Sequence, residues 1–86
     1  MAVVCERHDG PPILGTVRDI SVGGAFVESA ELLPFGTTVV LVGCLPCAKG
    51  DLRLPGIVRW TKADGLGVQF ALLGARETHA IVSCLR

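Results

Sequence analysis

A small antiparallel β-barrel or strongly bent sheet, closed by one C-terminal helix, is the fold class that this sequence predicts. Turn punctuation at Gly10-Pro11-Pro12, Ser21-Val22-Gly23-Gly24 and Lys62-Ala63-Asp64-Gly65 divides the chain into five or six short β segments. A period-two alternation runs through the segments on either side of the last of these turns, and only from Ala75 does the spacing become helical, without Gly or Pro. The chain has 86 residues, half of them apolar, which suits one domain around one core. It divides into a short N-terminal arm over 1–12, a barrel over 13–74 and a helix over 75–86.

Ile13 to Ile20, rich in Ile, Leu, Val and Thr, reads as the first strand, and Ala25-Phe26-Val27-Glu28 follows the tight turn as a second. A loop through Glu31, Leu33 and Pro34 reaches Gly36. Thr37 to Leu45 is apolar on both parities, as expected of a central strand covered on both faces. Leu52, Leu54, Val58 and Trp60 then share even positions against Arg53, Arg59 and Thr61. One face is thus buried and the other solvated and basic. Pro55-Gly56 interrupts this strand and predicts an edge or a bulge there, since Pro cannot donate to a ladder. The Asp64-Gly65 hairpin signal leads to Leu66, Val68 and Phe70, which complete a seven-residue set expected to face the barrel interior. The terminal helix, Ala75 to Leu85, places Thr78, Ile81, Val82 and Leu85 at helical spacing.

Composition excludes several functions. Eight Lys and Arg balance eight Asp and Glu, so the broad positive field that holds non-specific duplex DNA is missing, and no DNA partner is expected. No apolar run reaches the roughly 20 residues that span a bilayer, and Glu6, His8 and Asp9 follow Val3 and Val4 too closely for an export signal. A cytoplasmic location without membrane insertion is the expectation. Cys5, Cys44, Cys47 and Cys84 then read as free thiols. The Cys44-Leu45-Pro46-Cys47 spacing suits a zinc or redox site, but no second close pair of ligands accompanies it and a turn, not a helix, follows. No metal or cofactor is expected. With His8 and His79 as the only histidines and no nucleophile elbow or phosphate loop, a binding module is favoured over an enzyme.

Four stretches together carry a resemblance. Val17-Arg18-Asp19-Ile20-Ser21-Val22-Gly23-Gly24-Ala25-Phe26-Val27 contains D-x-S-x-x-G, and Leu33-Pro34-x-Gly36-Thr37-x-Val39 comes next. Gly56-Ile57-Val58-Arg59-Trp60 and Gly65-Leu66-Gly67-Val68-Gln69-Phe70 complete the pattern, which resembles the PilZ domain over about residues 13 to 86. The resemblance implies a six-stranded antiparallel barrel followed by a helix, and a bacterial signalling module whose better-known members bind cyclic di-GMP.

It also implies a site at Asp19, Ser21 and Gly24. A carboxylate accepts from the N1–H and amine of a guanine edge, a hydroxyl adds a polar contact, and Gly23-Gly24 allows positive φ and close backbone approach. The alternative at these residues is an Asx- or Ser-turn that only shapes the hairpin. Ligand-binding members also carry R-x-x-x-R ahead of this motif, and no such pair occurs in this sequence, where Arg7 is the only basic residue before Arg18. Losing two charge-assisted contacts at about 1.5–3 kcal/mol each weakens binding roughly a hundredfold or more. Two readings follow. In the one the sequence favours, a degenerate PilZ domain with weak or no cyclic di-GMP binding acts through a protein partner, as in motility or type IV pilus regulation. In the other, a cyclic di-GMP receptor uses Asp19, Ser21 and Gly24, with Arg7, and secondarily Arg59 from the barrel face, as a partial replacement for the clasp. Under either, Arg53 and Arg59 with the turn at 19–24 are expected to form the interaction surface. The oligomeric state stays open.

Overall fold

The computed structural model describes residues 2–8, 10–43 and 52–84. Six strands, β1 (Ala2–Arg7), β2 (Ile13–Ile20), β3 (Gly24–Glu28), β4 (Thr38–Gly43), β5 (Leu52–Lys62) and β6 (Gly65–Phe70), precede helix α1 (Ala75–Cys84). All pairings are antiparallel, and the order β1-β2-β3-β6-β5-β4 closes into a barrel. The expected all-β barrel with one helix is therefore the observed fold.

The N-terminal segment departs from expectation. Residues 2–7, expected within an arm ahead of the barrel, form the strand that closes it, because β2 and β4 would each otherwise leave an unpaired ladder edge. Val3 and Cys5 point inward and are buried, while Val4 and Glu6 lie on the other parity.

Antiparallel registers turn the apolar parity into rows across the interior. Ile13, Cys5, Leu41 and Leu54 lie side by side on β2, β1, β4 and β5, all buried. A second row joins Ile20, Ala25, Val68 and Val58, and Val17, Val27 and Leu66 form part of a third. Strand β4 is one-sided rather than covered on both faces. Val39 and Leu41 are buried, whereas Val40 and Val42 are only half-buried on the outside. Of the seven residues expected inside, Leu52, Leu54, Val58, Leu66, Val68 and Phe70 are buried.

Trp60 is the exception, at 44% exposed. The register steps from Val58 opposite Val68 to Trp60 opposite Gly67, so Arg59 is an extra residue and every later side chain of β5 changes face. The bulge is at Arg59, not at Pro55-Gly56, which pair in register with Val40 and Val39. Gly56 serves close packing instead, since a Cβ there would lie 2.7 Å from the Gln69 carbonyl oxygen. Trp60→Ala should therefore cost about 1–2 kcal/mol, the scale of a lost aromatic pair, and not the 3–5 kcal/mol of a core tryptophan. Urea unfolding measures this directly, and a loss above about 3 kcal/mol would contradict the outward placement.

Helix α1 lies against the barrel through Ala80 and the fully buried Ile81, with Leu73 packed beside the core. Thr78 and Val82, expected on the packed face, are exposed. The buried face of the helix is thus centred on Ala80 and Ile81. Asp9, Cys44, Leu45, Cys47, Leu85 and the side chain of Cys84 lie outside the described residues.

Burial pushes the Cys5 thiol from 9.0 up to about 11, partly opposed by the Arg7 charge. The folded chain therefore prefers the neutral thiol more than the unfolded chain does. This contribution is complete below pH 9 and is lost as pH rises from 9 toward 11, by at most about 2–3 kcal/mol. Urea midpoints measured across that window should fall less steeply for Cys5→Ala than for the parent chain. Equal slopes would show that Cys5 is not the group responsible.

Candidate functional site

Two bulges build the site. On β2 the register steps from Val17 opposite Val27 to Asp19 opposite Phe26, leaving Arg18 as the extra residue, while Arg59 is the extra residue on β5. Asp19, Phe26, Gly67 and Trp60 consequently share one row across β2, β3, β6 and β5. It is flanked by the inward row of Ile20, Ala25, Val68 and Val58, so it faces out.

Gly67 makes the row into a platform. Phe26 and Trp60 stand two strands apart, roughly 10 Å at the usual strand spacing, too far for direct stacking of upright rings. Gly67, between them, has no side chain, and the indole lies across it, so that an added Cβ would strike Cε2, Nε1 and Cδ2 of the ring. Trp60 thereby reaches Phe26 with ring centroids 5.3 Å apart and planes 10° from parallel. The Lys62 ammonium sits over the indole, 5.1 Å from the centroid.

These residues line an open cleft of about 690 Å³, together with Ser21, Gly23, Gly24, Arg59 and Gln69. Two cations face one carboxylate. Arg59 Nε–H donates to Gln69 Oε1 at 2.6 Å, which fixes the guanidinium at the cleft wall. Asp19 makes no hydrogen bond or ion pair with another described residue, so its carboxylate is available as an acceptor. Chemically, the cleft offers an aromatic stacking surface, a carboxylate for a donor-rich edge and cations for an anionic group.

The motif residues divide in role. The Ser21 N–H donates to the Gly24 carbonyl at 2.8 Å, its hydroxyl donates weakly to the same oxygen at 3.4 Å, and Gly23 N–H donates to Ser21 Oγ at 3.3 Å. Ser21 therefore shapes the turn, the alternative left open for it. Gly24 does not take positive φ; among the described residues only Gly36 does, at 89°. Its need for hydrogen is steric, because a Cβ would strike the Val68 carbonyl oxygen on β6.

Arg7 and Arg53 lie outside this cleft. Arg7 Nε–H donates to the Pro11 carbonyl at 2.8 Å and closes the β1–β2 connection, and Arg53 pairs with Glu6 at 2.7 Å. Arg53 and Arg59 are six positions apart on β5, roughly 20 Å of strand, so they do not act on one small ligand. Trp60 and Lys62 line the cleft but are not candidates on the sequence reading, because unbroken alternation puts Trp60 in the core. The Gly67 opposite it, a glycine inside a strand pattern, was the available signal.

The family model for the PilZ domain matches residues 1–86. Among solved structures the chain is similar to the crystal structure of the PilZ domain of CeSA from a cellulose-synthesizing bacterium, with a TM-score of 0.75. The two share 20% identity over 94% of this chain and 84% of that one, a level at which the likeness speaks for the fold. Comparison with curated proteins gives no match.

Proposed function

This chain belongs to the PilZ domain family, and from that premise we propose that it is a non-enzymatic signalling adaptor whose cleft between the β2–β3 turn and Trp60 binds cyclic di-GMP. The observation that carries this reading is the convergence of Asp19, Arg59, Trp60 and Lys62 on one cleft. A guanine base matches the stacking surface, its N1–H and amine match the carboxylate, and the phosphates match the two cations. The sequence alone favours a protein partner because no R-x-x-x-R is present. Arg59 and Lys62, on the far side of the cleft from the motif, supply part of the missing charge.

Part of it only, so the expected affinity is modest. A dissociation constant of about 10–100 μM allows for one or two absent charge-assisted contacts at the scale of tenfold per 1.4 kcal/mol. Titration calorimetry of residues 1–86 with cyclic di-GMP should give saturable binding in this range. Silence at several hundred micromolar would sink the nucleotide reading and leave protein contact as the function. That second reading is favoured by Ser21, whose hydroxyl is engaged within the turn, and by Arg7, held at Pro11.

A further inference from the structure

Lys62 follows the bulge at Arg59 and pairs across the ladder with Gly65. That places it on the outer face, two rows from Trp60 along β5. Among the described residues no carboxylate pairs with it; the nearest acidic candidate on its own row, Glu28, is bound to Arg18 at 3.0 Å. Its ammonium rests instead over the indole. The ring already carries Phe26 as a stacking partner and has the Gly67 backbone against it, so a base stacking on the indole contends with the ammonium that rests there.

We propose that Lys62 is the mobile one of the cleft's two phosphate-binding cations, and that it exchanges the Trp60 ring for the phosphate of a purine nucleotide stacked there. The inference rests on the nucleotide reading above and adds to it a residue with two alternating partners. Both are electrostatic: the ring face attracts a cation weakly, and a phosphate attracts it strongly once the base has taken the ring. A flexible four-carbon stem lets the same ammonium reach either partner, which the fixed Arg59, tied through Nε to Gln69, cannot do. The exchange also means that the cation is at the cleft before any ligand arrives.

The test compares the parent chain with Lys62→Met, which keeps the apolar stem, and Lys62→Arg, which keeps the charge. Cyclic di-GMP is the probe, titrated at two salt concentrations and read by calorimetry and by the emission of Trp60, the only tryptophan in the chain. Lys62→Met should bind about tenfold or more weakly, with a flatter salt dependence, and its emission before ligand addition should differ from the parent's. Lys62→Arg should recover most of the affinity. Melting should be unchanged in both, since Lys62 is exposed. Parent binding with Lys62→Met within twofold of it would overturn this inference and leave the nucleotide reading intact. Absence of binding by the parent chain would overturn both.

Discussion

Leu41→Ala should lower stability by about 2–5 kcal/mol and the melting temperature by roughly 10–30 °C, whereas Val42→Ala beside it should cost under about 1 kcal/mol. Leu41 is 1% exposed and stands in the row that joins Ile13, Cys5 and Leu54 across four strands. Its removal opens a cavity that β-ladders on both sides prevent from collapsing. Val42 points the other way and is half-buried. Small domains keep roughly 5–15 kcal/mol of net stability, so the first change leaves a substantial unfolded fraction on warming and the second does not. Thermal and urea unfolding of the two variants give the comparison. Equal losses would mean that the inward parity assigned to β4 is wrong.

That parity was legible in the sequence where nothing broke it. Leu52, Leu54 and Val58 on one strand, and Leu66, Val68 and Phe70 on the next, alternate without interruption, and all are buried. Beyond Val58 the alternation continues in letters but not in space. The bulge at Arg59 carries no Gly or Pro to mark it, while Pro55-Gly56, which looks like a break, runs in register. A bulge is a property of two strands, set by which residue opposes which, and one strand read alone does not contain it. The first strand was hidden for a similar reason. Val3, Val4 and Cys5 are too short a run to declare a strand, and what makes them one is the pair of edges that β2 and β4 would otherwise leave open. The Gly10-Pro11-Pro12 punctuation was seen, but as the start of the barrel instead of the turn after its first strand.

The site shows the same division. Asp19 and Gly24 are named from the spacing of D-x-S-x-x-G, a local signal in one turn, and both line the cleft. Trp60 and Lys62 enter the cleft only through the bulge opposite Gly67, three strands from Asp19, so that glycine on the neighbouring strand is the one hint of them. Arg7 and Arg53 are named for their charge, which sequence shows; whether they line this cleft depends on position, which sequence does not show, and they do not line it. Glu6 and Pro11 hold them elsewhere.

Gly67→Ala should leave the barrel folded and disable the cleft. A methyl group at this position collides with the Trp60 ring, so the indole must swing off the strand and lose its stack on Phe26. The colliding group is a side chain at the surface with room to move, so the cost is about the 0.5–1.5 kcal/mol of one aromatic pair, partly offset by replacing a strand glycine. Gly24→Ala gives the contrast. There the Cβ meets the Val68 carbonyl oxygen, a backbone atom held in the β3–β6 ladder, so relief requires the strands to part and the fold itself should suffer. Near-ultraviolet circular dichroism should lose its tryptophan fine structure in Gly67→Ala while the far-ultraviolet spectrum and melting stay near those of the parent. Cyclic di-GMP binding should fall by tenfold or more, because the stacking surface and the resting place of Lys62 disappear together. A Gly67→Ala chain with unchanged tryptophan dichroism and parental affinity would show that the indole does not lie across β6 and that the platform is not what the ligand uses.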